Sequence, residues 1–454
     1  MHPHPAHLLA GMTGPTTGSG RAMGARWGYG LRPRSSLESG GSGRNRSRGS
    51  GLRTTGFFGI RVSRDRWPHG FGVNGGPGFT AMEINTQIIH ELLKTKSDDG
   101  SFSGVVLVRQ QCTNKVEYAC GMADRGNAIS NTPSTRFATA SASKMLTSLA
   151  VAQLVEKRKL AFDMKIHECL GRQLGNISTD VTLHHLLTHS SGIPDYTDDR
   201  RKGDRESVWN NVPVYAVQSA SDYLRLFVEK PMKFKPGERY LYCNSGYVLL
   251  GLAVEKATGM SFCDYVAENI FGPAGMTESG YFESDRLPPD TARGYIGKPG
   301  DWRTNVFSLV PKGGPDGGAY TTAKDLMRLW DALTGYKLLS EELTQKMLSP
   351  QIEDGNTGEW FYGYGLWANI QDGSTVKFSC IGEDPGVSVR LFVYPKHGVR
   401  IAVLSNLSET AAGLADQIQD LIFPAGTFKL GDPSTLLSCG AGGGSCGAAP
   451  TCGG

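Results

Sequence analysis

No apolar run in this chain approaches the ~18 residues that a membrane-spanning helix needs, so the sequence predicts no span. No secretory leader is expected either: HLLAGM, near the start, is too short for an h-region. Residues 1–81 lack lysine and hold only two acids, Glu38 and Asp65, against eleven arginines, with no sustained period of 2 or 3.6. That segment carries +9, so the formal +4 of the whole chain leaves −5 on the remainder. A nucleic-acid-binding reading would rest wholly on this segment, and none is expected for the body. None of the nine cysteines forms a C-x-x-C pair. With no leader, Cys112, Cys120, Cys169, Cys243, Cys263 and Cys380 read as reduced and mostly buried.

The basic segment has three readings: an organellar targeting peptide, a disordered arm, or an upstream extension with Met82 as the working start. Its Arg, Gly, Pro and Ala bias, typical of GC-rich codons, favours the third. The expected compartment is cytoplasmic, with organellar targeting by the extension left open. Residues 433–454 repeat Cys439, Cys446 and Cys452 in a glycine-rich setting and cannot build a core. Their GGSCG matches G-x-S-x-G without the strand and helix that a nucleophile elbow needs. The expected organisation is a disordered Arg/Gly-rich extension at 1–81, one folded domain at 82–430 and a flexible Gly/Cys-rich tail at 431–454.

What is present centres on RFATASASKMLTSLAVAQLVEK, residues 136–157. Ser141 stands three residues ahead of Lys144 at the start of a helical pattern, with Met145, Leu146, Leu149, Ala150 and Leu154 on one face. A helix start leaves backbone N–H groups unpaired and favours developing negative charge. A serine hydroxyl there becomes a nucleophile if a lysine one turn on is kept neutral. Alone, Ser-x-x-Lys is weak; a capping serine and a solvated lysine give the same letters.

Elsewhere EINTQIIHELLKTK reads as an amphipathic helix, followed by strands in SGVVLVRQ and KVEYACGMA. Near the other end VSVRLFVYP and GVRIAVLSN read as strands, closed by a helix at 409–422. The two ends therefore predict an α+β fold: one antiparallel sheet built from both chain ends, flanked by helices, with a mainly helical region inserted. Within that region, His184, His185 and His189 of VTLHHLLTHSSGI invite a metal reading. The pair at i,i+4 lacks the glutamate of H-E-x-x-H, and structural or hydrogen-bonding roles are favoured over zinc. Tyr242-Cys243-Asn244 precedes another helix, and Thr322 with Asp325 fits a capping box.

Together TRFATASASK, KLAFDMKI, VTLHHLLTHSSGI, FKPGERYLYCNSGY, FGPAGM, GGAYTTAKDL and the strand pair ending VLSN resemble the serine beta-lactamase and penicillin-binding-protein-like hydrolases. The class C branch, with its esterases and D-aminopeptidases, is the most similar. The resemblance runs from about Ile84 to Phe423. It implies a beta-lactamase/transpeptidase-like fold and a serine hydrolase needing no metal or cofactor. By resemblance, Ser141 is the acylated nucleophile, Lys144 keeps it activated, and Tyr242 carries the proton for attack and departure. Lys144 and Tyr242 then form a coupled pair, and Asn244 positions substrate. The oxyanion hole would use the N–H of Ser141 and one from an edge strand carrying the third motif.

That third motif departs from the pattern. Relatives often carry Lys-Thr-Gly or His-x-Gly before a Pro-Gly step, and here the segment is FSCIGEDPG. Aligned on Gly382, the cationic position is Cys380, and Glu383 supplies the oxyanion N–H. Without that cation, and with Glu383 and Asp384 beside the strand, small neutral or cationic esters and amides are expected to outrun carboxylate-bearing substrates. The rivals are a beta-lactamase or cell-wall peptide hydrolase, and a catalytically silent binding or scaffold relative. The expected partner is a small ester, amide or beta-lactam molecule; the sequence carries no sign of an oligomeric state.

Overall fold

The computed structural model describes residues 82–198, 207–210, 212–355 and 358–423. The expected basic extension and cysteine-rich tail lie outside the described residues. Helix α1 (Thr86–Asp98) opens the body, with the Asn85 side chain accepting from the Ile88 N–H and Ile89 and Leu93 buried one turn apart. Strands β1 (Gly104–Gln110) and β2 (Thr113–Cys120) follow as an antiparallel hairpin.

The last third supplies the rest of the sheet: β3 (Ile352–Glu353), β4 (Trp360–Tyr362), β5 (Trp367–Gln371), β6 (Ser374–Asp384), β7 (Val387–Tyr394) and β8 (Val399–Ser405). The order is β2-β1-β8-β7-β6-β5-β4-β3, so β8 joins the two chain ends, with Leu404 opposite both Val105 and Val389. Helix α6 (Thr410–Ile422) closes the body beside α1 on one face of the sheet. Val106, Val108, Phe392, Ile401 and Val403 point to that face. Val105, Leu107, Val389, Leu391 and Leu404 point to the helical middle. Burial on both faces explains the nearly unbroken apolar run of β7 and β8. The α+β expectation holds.

Two expectations need correction. The third-motif strand is β6, which is not an edge of the sheet: β5 pairs with it as far as Ser379, opposite Trp367. Beyond β5's end, Cys380–Asp384 pair only with β7, so a local edge opens inside a wider sheet. The cause is the aromatic segment after residue 358. Its Trp360, Tyr362 and Trp367 pack with Ile381 and extend the sheet sideways. The second correction concerns the Ser141 helix, whose apolar spacing predicts a single buried face. Helix α2 (Lys144–Glu156) is buried all round from Lys144 to Leu154. It is sandwiched between the sheet and the helical middle, where α3 (Leu183–Leu187) and α4 (Asn244–Thr258) lie.

Helix α5 (Ala323–Thr334) begins on half of the expected capping box. Thr322 accepts from the Asp325 N–H, while the Asp325 carboxylate turns to Ser279, the Glu278 N–H and Arg328. Among the described residues, no helix is long and apolar enough to cross a membrane.

Candidate active site

Ser141 lies in a 3-10 turn, Ala140–Ser143, that runs directly into α2. Ala140, just before it, holds a left-handed φ of 46°, a conformation a β-carbon disfavours and the surroundings must enforce. The enforcing contacts are specific. The Ala140 carbonyl accepts from the Gly318 N–H (3.1 Å) and the Ser143 hydroxyl (2.8 Å). On the other side, a β-carbon at Gly382 would fall 2.0 Å from the Thr139 carbonyl oxygen. Strand β6 can therefore press against the serine turn only because residue 382 has no side chain.

Four of the residues singled out by motif converge. Lys144 Nζ donates to Ser141 Oγ (3.1 Å) and to Asn244 Oδ1 (2.7 Å), and it also donates to the Asp316 carbonyl (2.5 Å). It lies 5.0 Å from the centre of the Tyr242 ring, and the Tyr242 hydroxyl shares a hydrogen bond with Ser141. Lys144 is buried, whereas Ser141, Tyr242 and Asn244 keep part of their surface open. The enclosed amine thus sits among three residues that are each open in part.

The electrostatics follow from that enclosure. Burial lowers the Lys144 pKa to about 8, against the opposing pull of the Asp316, Asp195 and Asp384 charges. Enclosure raises the Tyr242 phenol well above its ordinary value; the Ser141 hydrogen bond opposes this, and the same acids reinforce it. Near neutral pH the pair therefore offers an amine that releases its proton easily and a phenol that keeps its own. A Tyr242 phenolate, the other half of the coupled-pair expectation, is the costlier state here.

Sequence reasoning missed two acids and a tyrosine. Asp195, in the loop after α3, accepts from the Asn244 backbone N–H at the start of α4. It does the work of a helix cap, since Cys243 at the cap position offers no side-chain bond. Asp316, buried, accepts from the Tyr196 hydroxyl (2.6 Å). Both were legible only as polar letters in loops; nothing in their spacing announces that they flank a lysine far along the chain.

The third-motif residues divide by strand alternation. Cys380 and Gly382 face the serine turn, and Cys380 Sγ lies 3.6 Å from Met145 Sδ in a fully buried spot where burial pushes its thiol up to about 12. Glu383 points to the other side. Its carboxylate takes Arg390 (2.6 Å) and the Ser388 hydroxyl (2.7 Å) and accepts from the Glu409 N–H (3.2 Å). The expected negative charge of Glu383 at the cleft is therefore compensated, a correction to the charge argument; Asp384 remains on the site's side. The three histidines are separated as well. His184 Nδ1 pairs with the Tyr364 hydroxyl (2.9 Å), and His185 Nδ1 accepts from the Thr182 N–H (3.2 Å). His189 packs on Tyr242. Among the described residues no group of three His, Cys, Asp or Glu is placed to hold a metal.

Comparison with known proteins matches this chain to one family. The profile described as Beta-lactamase covers residues 86–422. A penicillin-binding protein of Bacillus subtilis is 29% identical over 337 residues, 71% of this chain and 72% of the relative. The crystal structure of a penicillin binding protein from Bacillus halodurans is 42% identical, with a TM-score of 0.67, covering 75% of this chain and all (100%) of that one. A D-stereospecific amidohydrolase from Streptomyces sp. shares the fold at 20% identity, with a TM-score of 0.63 over 76% of this chain and 100% of its own.

Proposed function

This chain belongs to the beta-lactamase family of serine hydrolases, and from that premise we propose that it hydrolyses small esters or amides through an acyl-enzyme on Ser141. The observation that carries the reading is the Lys144 ammonium nitrogen, buried and 3.1 Å from Ser141 Oγ. With its pKa lowered to about 8, a useful fraction of Lys144 is neutral near neutral pH and accepts the Ser141 proton as Oγ attacks the carbonyl carbon. The carbonyl π pair moves onto oxygen. When the tetrahedral centre collapses, the Tyr242 hydroxyl gives its proton to the leaving oxygen or nitrogen and recovers one from the Lys144 ammonium. Water then repeats the sequence and releases the acid.

The oxyanion hole is supported by strand parity. Asp384 and Val387 flank the two-residue Pro385-Gly386 loop, so they form the hydrogen-bonded pair of the hairpin. The next pair, Glu383 with Ser388, is then of the other kind, and the Glu383 N–H points away from β7 toward the open side beside the serine turn. With the Ser141 N–H at the start of its turn, this supplies two donors for one oxygen.

Substrate charge follows from Cys380. The position that resembles the family's cation holds a buried thiol against Met145, while the Asp384 charge acts on Lys144, Tyr242 and Asp316. A neutral or cationic acyl group suits this field better than a carboxylate. The names of the two penicillin-binding relatives favour the rival reading, in which the substrate is a beta-lactam; the name of the Streptomyces amidohydrolase favours D-configured amides. Two measurements decide. Fluorophosphonate labelling that disappears in Ser141→Ala supports the acyl-enzyme; labelling that persists there assigns the reaction to another nucleophile, and a wild type that takes no label assigns the chain to a silent role. A matched substrate pair differing only in a carboxylate should favour the neutral member, with Asp384→Asn narrowing the gap; a wild-type preference for the carboxylate refutes the charge reading.

A further inference from the structure

We propose that His189 is a positioning residue that holds the Tyr242-Cys243-Asn244 segment in its working geometry. The inference rests on the reading of Tyr242 as proton carrier. His189 grips this segment at three points. Its own carbonyl accepts from the Leu241 N–H (2.9 Å). Its Nδ1 accepts from the Cys243 N–H (3.0 Å), the peptide group between the two site residues. Its ring lies against the Tyr242 ring, with centroids 4.2 Å apart and planes 36° from parallel. Two backbone bonds flanking Tyr242 and one face contact leave that side chain little freedom.

The segment needs such a hold. From Arg239 to Cys243 it has no regular structure, so no ladder of its own fixes it. Asp195 secures the Asn244 N–H on the far side, and His189 secures the near side. The imidazole is also in an uncomfortable place for a residue that only fills space. It is 1% exposed, its backbone sits at a left-handed φ of 56°, and its Nε2 has no hydrogen-bond partner. Because Nδ1 accepts, Nε2 carries the proton, and that N–H lies in a ring system of Tyr240, Tyr247 and Tyr362. Burial keeps the imidazole neutral, with its pKa well below the ordinary value, which the acceptor role of Nδ1 requires. An aromatic hydrocarbon would pack here without the orphaned donor. It would also leave the Cys243 N–H unpaired, and that bond is what the imidazole adds.

The test separates ring from acceptor. His189→Phe keeps the stacking and removes the acceptor; His189→Asn places an oxygen at the Nδ1 position and tolerates the left-handed backbone. Both are compared with Tyr242→Phe using esters with good and poor leaving groups. The expected result for His189→Phe is a kcat loss of about 10–100-fold, the scale of a small misplacement of a reacting group. KM should move little, and the loss should be larger for poor leaving groups, as in Tyr242→Phe. His189→Asn should recover a substantial part of that loss. If His189→Phe does not fold, His189→Asn against wild type carries the test through the same leaving-group dependence. The proposal is overturned if Tyr242→Phe is impaired while folded His189→Phe keeps wild-type kcat, if the loss ignores the leaving group, or if the asparagine variant does no better than the phenylalanine one. If Tyr242→Phe itself keeps full activity, the reading of Tyr242 fails first, and the His189 proposal falls with it.

Discussion

Among the described residues two lysines are buried, one on each face of the sheet, and each is 1% exposed. Lys144 lies on the helical side, among the Ser141 hydroxyl, the Asn244 amide, a carbonyl and the charges of Asp316 and Asp195. Lys377 of β6 lies on the α1/α6 side. Its ammonium sits 3.3 Å from the centre of the Phe392 ring, with Gln419 Oε1 at 3.0 Å and Asp416 at 3.9 Å. Burial is the same and the surroundings differ. Lys377 is held by an aromatic face, an amide and a nearby carboxylate, which stabilise a charge in place. Lys144 is held against the hydroxyl of Ser141, a residue that keeps part of its surface open. A buried lysine thus becomes a candidate base through what it touches and whether substrate can arrive, and its depth alone decides nothing.

The sharpest way to break that contrast is to remove each amine in turn. Lys144→Met should lower kcat/KM by ~10³-fold or more, comparable to the loss in Ser141→Ala, because the two act as one unit. Both variants should keep a cooperative melt. Equal, small losses from Lys144→Met and Lys377→Met would erase the distinction. Next comes Tyr242→Phe, expected to cost on the order of 10²–10⁴-fold, with the larger loss for poor leaving groups. A uniform small loss would make Tyr242 structural.

The pH profile sharpens the comparison further. A base must be unprotonated, so with the Lys144 pKa lowered to about 8, kcat/KM should rise with pH and level off above that value. Below it the rate should fall by about tenfold per unit. The same limb should persist in Lys377→Met; its disappearance there would assign the titration to the wrong lysine. The smallest effect is on Lys377→Met itself. Activity should stay within about twofold, and stability should change modestly in either direction, since apolar replacements of buried ionic groups are often neutral or stabilising. Calorimetry beside steady-state kinetics checks both.

Much of the site was legible because its parts are local in the chain. Ser141 and Lys144 are one turn apart, Tyr242 and Asn244 two residues apart, and each pair precedes an apolar helix whose start they occupy. The sheet's outline was legible from the apolar strands at each end. Other features were misread for one shared reason. The burial of α2 on every side depends on segments far away in the chain, while the extension of the sheet beyond β6 and the pairing of Glu383 with Arg390 depend on the register of neighbouring strands; in each case the partner is set by folding and not by residue type. Glu383 shows this well: its charge is a letter, while its direction is a parity along β6 and its compensation is a side chain on β7.

By itself, then, the sequence determined the chemical inventory: a serine and a lysine at a helix start, a tyrosine and an amide at another, and a thiol where a resembling family carries a cation. Those follow from residue type and short spacing, which survive without coordinates. Tertiary structure alone decided which state each group occupies. The Lys144 pKa falls because α2 is enclosed on all sides, with Asp316 and Asp195 opposing the fall. Likewise, His189 Nδ1 is committed as an acceptor because folding sets it against the Cys243 N–H. Desolvation and hydrogen-bond direction are properties of surroundings, and surroundings exist only once residues far apart in the chain have met.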